Sequence, residues 1–79
     1  MEVIELNIGA KIKELRLQRN MKQIELASKA DISNTYLSDI EKGRTIPSLK
    51  VLMRISNALQ VDVNIFLASN YVKIEQDTA

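Results

Sequence analysis

Cysteine and histidine are both absent from the 79 residues. Without cysteine there is no disulfide framework and no thiolate metal site. Without histidine the chain lacks the commonest general base and the commonest metal ligand. Chemistry on a substrate is therefore not expected, and neither a metal nor an organic cofactor is called for. Aromatic residues make up only 4% and tryptophan is missing, so any core has to be aliphatic. With two glycines and one proline, helix breakers are scarce. No apolar run approaches the roughly 18 residues of a membrane span, and no basic n-region precedes a signal-like core. The chain is expected to be cytoplasmic, with no membrane partner.

What is present is a 46% apolar content drawn mainly from Ile, Leu, Val and Ala. The length fits one domain. A domain this small buries only about 60% of the surface its unfolded chain exposes, so its core must be efficient. The formal charge is +1, but it is unevenly spread. Residues 10–54 carry ten Lys and Arg against five Asp and Glu, a net of +5, and the remaining residues carry −4. A basic body with acidic ends suits a polyanionic partner, although a solvated helical face has the same composition.

The spacing predicts five helices. The first runs from about Asn7, as N-cap, to about Arg19, with Ile8, Ile12 and Leu15 on one face. A second covers Gln23 to Ala30, with Ile24, Leu26, Ala27 and Ala30 apolar. Ser33 caps a third, which carries Leu37 and Ile40 and stops at Gly43. Pro47-Ser48 opens a fourth, with Leu49, Leu52, Ile55, Ala58 and Leu59 on a stripe. Asp62 caps a short fifth containing Val63, Phe66 and Leu67, whose apolar surface need not all be used by the core. Residues 7–69 thus form the domain, and 1–6 and 70–79 are tails. Both tails hold β-branched residues without helical period (Val3 and Ile4; Val72 and Ile74). They read as frayed ends or as two short strands that pair within or between chains.

Only Asp31-Ile32 joins the second and third helices, which forces a sharp angle. Small Ala27 and Ala30 allow close approach, and Ile32 can plug the corner. A helix-turn-helix needs this arrangement, which pushes its second helix into the major groove. At 100° per residue, Leu37, Ile40 and Glu41 share one side of the third helix. Thr35, Ser38, Asp39 and Lys42 share the other, and Asn34 stands free at the start. Short hydrogen-bonding side chains on an outward face suit base-edge readout, though a polar solvent face looks the same.

Two stretches carry a resemblance. Ile8-Gly9-Ala10-Lys11-Ile12-Lys13-Glu14-Leu15-Arg16 followed by Met21-Lys22-Gln23-Ile24-Glu25-Leu26-Ala27 is one. Ile32-Ser33-Asn34-Thr35-Tyr36-Leu37-Ser38-Asp39-Ile40-Glu41-Lys42-Gly43 with Pro47-Ser48-Leu49 is the other. Together they resemble the phage Cro/repressor type of helix-turn-helix, the xenobiotic-response-element family, over about residues 8–67. The resemblance implies an all-α, compact five-helix, lambda-repressor-like DNA-binding domain that binds palindromic operators on double-stranded DNA. It also implies a homodimer, expected here through the fifth helix and C-terminal tail. Matched residue by residue, Gln23 holds a phosphate and braces the recognition helix. Asn34, Thr35, Ser38 and Asp39 fall at base-facing positions, and Arg44 at a backbone-contacting one. Arg16 and Glu41 match a structural ion pair. Tyr36 either packs its ring at the core edge or reaches a phosphate. Ser33 and Lys42, at the two ends of the helix, complete the candidate interface.

Departures from the family pattern are informative. Lys22 stands where Thr usually caps helix two, which costs about 1 kcal/mol and offers a phosphate contact instead. Glu25 keeps the back half of a capping box. Asp31 occupies a turn position where the family prefers a left-handed glycine. Asp39 needs a cytosine amino group or a cation such as Lys42 beside it. The leading expectation is a transcriptional repressor. A restriction–modification controller or an antitoxin of similar size shares the pattern, and a protein-interaction module without specific DNA binding is the reading from another class.

Overall fold

In the computed structural model, which describes residues 8–67, apolar residues recurring every three to four positions form four helices. They are α1 (Ile8–Gln18), α2 (Gln23–Lys29), α3 (Asn34–Glu41) and α4 (Leu49–Leu59). A fifth helical turn, α5, occupies residues 64–67, where the described residues end. Among the described residues there is no strand. The N-cap expected at Asn7 and both tails lie outside them.

Each helix start has its own local chemistry. The Ser33 hydroxyl accepts from the Tyr36 N–H at 3.0 Å, and the Ser48 hydroxyl from the Val51 N–H at 3.2 Å. The Asp62 carboxylate accepts from the Asn64 N–H at 2.9 Å, opening α5. At α2, Lys22 has no acceptor to offer. Only the reverse half of the box forms, with the Lys22 N–H donating to Glu25 Oε1 at 2.7 Å.

All four complete helices stop the same way. A residue turns left-handed: Asn20 (φ 56°), Asp31 (φ 59°), Gly43 (φ 79°) and Gln60 (φ 61°). The N–H of the following residue then reaches back five positions. Met21 bonds the Arg16 carbonyl (3.1 Å), Ile32 that of Ala27 (3.0 Å), Arg44 that of Asp39 (2.9 Å) and Val61 that of Ser56 (3.0 Å). These are Schellman motifs, which satisfy carbonyls the helix leaves unpaired. Only one of the four uses glycine, so three carry the cost of a Cβ in the left-handed region.

The core is aliphatic around a single ring. Ile12, Leu26, Leu37, Ile40, Leu52, Ile55, Leu59 and Phe66 are essentially inaccessible, and each contributes about 1.5–3 kcal/mol of burial. Phe66 is therefore a core residue, so the apolar surface expected to be spare on the fifth helix is reduced. Val63 and Leu67 are half-buried against the same core. Leu49, placed on the stripe of the fourth helix, in fact faces out at 58% exposed, and so does apolar Ile24 of the second at 63%. Both sit in the first turn of a helix, where the chain is entering from the surface. The buried Ser56 hydroxyl donates to the Leu52 carbonyl at 2.8 Å and so leaves no unpaired polar group. Helix α3 packs between α1 and α2, and α4 covers α2 and α1.

Candidate nucleic-acid interface

The connection between α2 and α3 is short because left-handed Asp31 reverses the chain at once. Ala27 and Ala30 are fully buried at the crossing, and Ile32 is half-buried against the core beside them. Past this corner α3 lies against α1 and α2 with one side turned outward. Its inner side, Leu37, Ile40 and Glu41, is buried. Asn34 and Thr35 in its first turn are exposed, and Ser38 and Asp39 are half-exposed. The structure thus brings the base-facing candidates together on one ridge.

A buried polar network fixes the far end of that ridge. Arg16 Nε donates to Glu41 Oε2 at 2.8 Å and Nη2 to Oε1 at 3.1 Å, a side-on bidentate pair. Arg16 Nη1 also donates to the Met21 carbonyl at 2.8 Å. Gln23 Nε2 gives Glu41 Oε1 a third hydrogen bond at 3.0 Å. With both charged groups under 10% exposed, these bonds offset the loss of water that would otherwise exclude the pair from the interior. The network ties α1, the α1–α2 turn, the start of α2 and the end of α3 into one unit. A primary amide has two N–H donors. Gln23 keeps its second N–H free of any partner among the described residues, and it is half-exposed.

The remaining candidates lie around the ridge. Lys22 is exposed just before α2, and Lys42 and Arg44 are exposed just after α3. Ser33 is exposed with its oxygen committed as the α3 cap. Tyr36 is half-buried, packed against the core. Asp39 meets Arg44, with Nη1 to Oδ1 at 3.7 Å, and not Lys42 as the helical spacing suggested. The reason is the turn at Gly43, which carries Arg44 back over Asp39 and bonds their backbones. The pair is exposed and loose, so it adds little to stability. Two elements of the arrangement were not visible as such in the sequence. The brace from Gln23 ends on Glu41, and Gly9 of α1 is buried against the last turn of α3. A glycine inside a helical pattern, at a cost of about 1 kcal/mol against alanine, was the available signal for the second.

Among the described residues no group of acidic side chains is placed to hold a metal ion, and no helix is long and apolar enough to cross a membrane.

Comparison with known proteins gives concordant results. The family model described as Helix-turn-helix matches residues 12–66. The ImmF control region 10 kDa protein of Bacillus phage phi105 is 41% identical over 69 residues, which is 87% of this chain and 77% of that protein. The immunity repressor protein of the same phage is 38% identical over 72 residues, 90% of this chain but only 50% of the repressor's length. Among solved structures, the N-terminal DNA-binding domain of SinR from Bacillus subtilis matches with a TM-score of 0.74 at 36% identity, covering 80% of this chain and 93% of that one.

Proposed function

Because this chain belongs to the helix-turn-helix family, we propose that it is a DNA-binding transcriptional regulator that lays α3 in the major groove of a specific double-stranded site. The observation that carries the reading is the ridge of Asn34, Thr35, Ser38 and Asp39 on a helix whose other side is clamped by the Arg16–Glu41–Gln23 network. Outward hydrogen-bonding side chains on a rigid support are what base-edge readout requires. Lys22, Lys42 and Arg44 stand at both ends of the ridge, where the two sugar–phosphate strands border the groove, and Gln23 offers a neutral donor to a phosphate. Ser33 and Tyr36 lie at the entry to α3, where their hydroxyl groups are within the same footprint. In this division phosphate contacts set register and base contacts set sequence. The name of the phage immunity repressor, to which the chain is 38% identical, supports repression as the outcome.

One α3 spans only a few base pairs, too few for a selective site. A second copy related by a two-fold axis would present its α3 about 34 Å away, one turn of DNA further on. With Phe66 in the core, such a pairing through α5 uses Ile65 and the outer parts of Val63 and Leu67. The test is selection of bound duplexes from random DNA. An enriched inverted repeat with half-sites one turn apart is expected. A single unrepeated half-site would refute the dimer, and no enrichment at all would favour a protein-interaction module.

A further inference from the structure

We propose that Gly9 is a positioning residue for the reading helix: it is the seat against which the end of α3 rests, and it sets how α3 is presented to DNA. The proposal rests on α3 being the helix that reads base pairs.

Gly9 lies in the first turn of α1 and is buried. A Cβ built on it would collide with the Ile40 carbonyl oxygen and stand 3.0 Å from the Ile40 carbonyl carbon and 3.2 Å from that of Glu41. All three atoms are backbone, so no side chain can rotate aside. Carbon atoms settle at about 3.5–4.0 Å, and relieving the collision would part the two helices by roughly an ångström. The opposite case is Gly43, whose missing Cβ would meet nothing. Gly43 serves a turn, whereas Gly9 serves a contact.

The place of that contact gives it a function. Seven residues are about two turns, so Gly9 and Arg16 lie on the same face of α1. Arg16 grips Glu41 by its carboxylate, and Gly9 meets the backbone of Ile40 and Glu41. Helix α1 therefore holds the end of α3 at two points, one electrostatic and one steric. The steric point sets the distance and the ion pair sets the rotation. The positive end of α1 also lies against the carbonyl end of α3, a favourable arrangement of the two helix dipoles. Lifting this end would tilt the ridge of Asn34, Thr35 and Ser38 about its anchored start at Ser33. Phosphate-directed Lys22, just before α2, would stay where it is.

The test is Gly9→Ala in a chain that also carries Asn20→Gly and Gln60→Gly, two helix-end changes away from the α1–α3 contact that offset lost stability. Affinity for a selected operator and for random duplex is measured at 10 °C, where circular dichroism reports full helix content, at several salt concentrations. The expected result is about a tenfold or greater loss of operator affinity. Random-duplex affinity and the salt slope should change much less than operator affinity, because Lys42 and Arg44 shift with the lifted end while Lys22 does not. A matched core change in α4, Ile55→Val, should leave operator affinity unchanged. Equal operator affinity for Gly9→Ala and its parent would overturn the proposal, as would failure of the variant to fold in this background, which would make Gly9 a folding residue. If the parent itself prefers no sequence, the reading of α3 fails first and takes this inference with it.

Discussion

Replacing Glu41 with Gln keeps the size of the side chain and removes its charge, so it isolates the electrostatic part of the α1–α3 clamp. In the native network the carboxylate accepts from Arg16 Nε, Arg16 Nη2 and Gln23 Nε2. An amide offers one oxygen where the carboxylate offers two, and it turns an N–H toward a guanidinium that has no acceptor. Arg16, only 7% exposed, would keep the Met21 carbonyl and one weakened bond. Removing one partner of a buried pair costs about 3–5 kcal/mol, and the retained amide oxygen places Glu41→Gln at about 3 kcal/mol. For a domain of this size each kcal/mol moves the melting temperature by about 4–8 °C, so a fall of about 12–24 °C is expected. Thermal melts followed by circular dichroism measure it directly. Removing both charges, with Arg16→Met and Glu41→Leu together, should cost less than the sum of the two single changes, because no ion is then left stranded. An unmoved melting temperature for Glu41→Gln, or a double variant that loses the full sum, would refute this account of the clamp.

Three further outcomes follow from the local geometry. Asp31→Gly, Asn20→Gly and Gln60→Gly each remove a Cβ from a left-handed residue and should raise stability by up to about 1 kcal/mol in urea melts. A clear loss at Asp31 would mean that its side chain caps a neighbouring helix. Ser33→Ala deprives the Tyr36 N–H of its acceptor and should cost about 1 kcal/mol of stability; an unchanged urea midpoint would show that water replaces the hydroxyl at no cost. Lys22→Ala and Arg44→Ala should weaken binding to every sequence alike and lower the salt slope by about one unit each. A loss confined to one base pair would instead make either residue a reader.

How far the sequence discloses this structure depends on how local each determinant is. Helix starts at Ser33, Ser48 and Asp62 were legible because a cap oxygen and its N–H lie two or three residues apart. The stop at Gly43 was legible from turn chemistry, whereas the left-handed turn at Asp31 came from the family resemblance. Gln60 was not legible, since nothing in glutamine favours positive φ. The stripe of α4 erred at Leu49, because period alone does not say where a helix leaves the surface. The polar side of α3 followed from its periodicity, whereas the site roles came from resemblance. The pairing of Asp39 with Arg44 depended on a chain reversal that helical spacing does not describe. The meeting of Gln23 with Glu41, and of Gly9 with Ile40, joins residues 18 and 31 positions apart. Such contacts are products of the packed fold and have no local signature.

Whether α3 reads base pairs is decided by comparing base preference with salt dependence in the same variants. Asn34→Ala and Thr35→Ala are each assayed against every single-base change in the selected half-site, at several salt concentrations. The account predicts that preference falls by about 1–3 kcal/mol at particular base pairs. The salt slope should stay near that of the unaltered protein, because neither residue releases a counterion. If both variants keep every base preference intact, α3 is not the reader and the account of the interface is wrong.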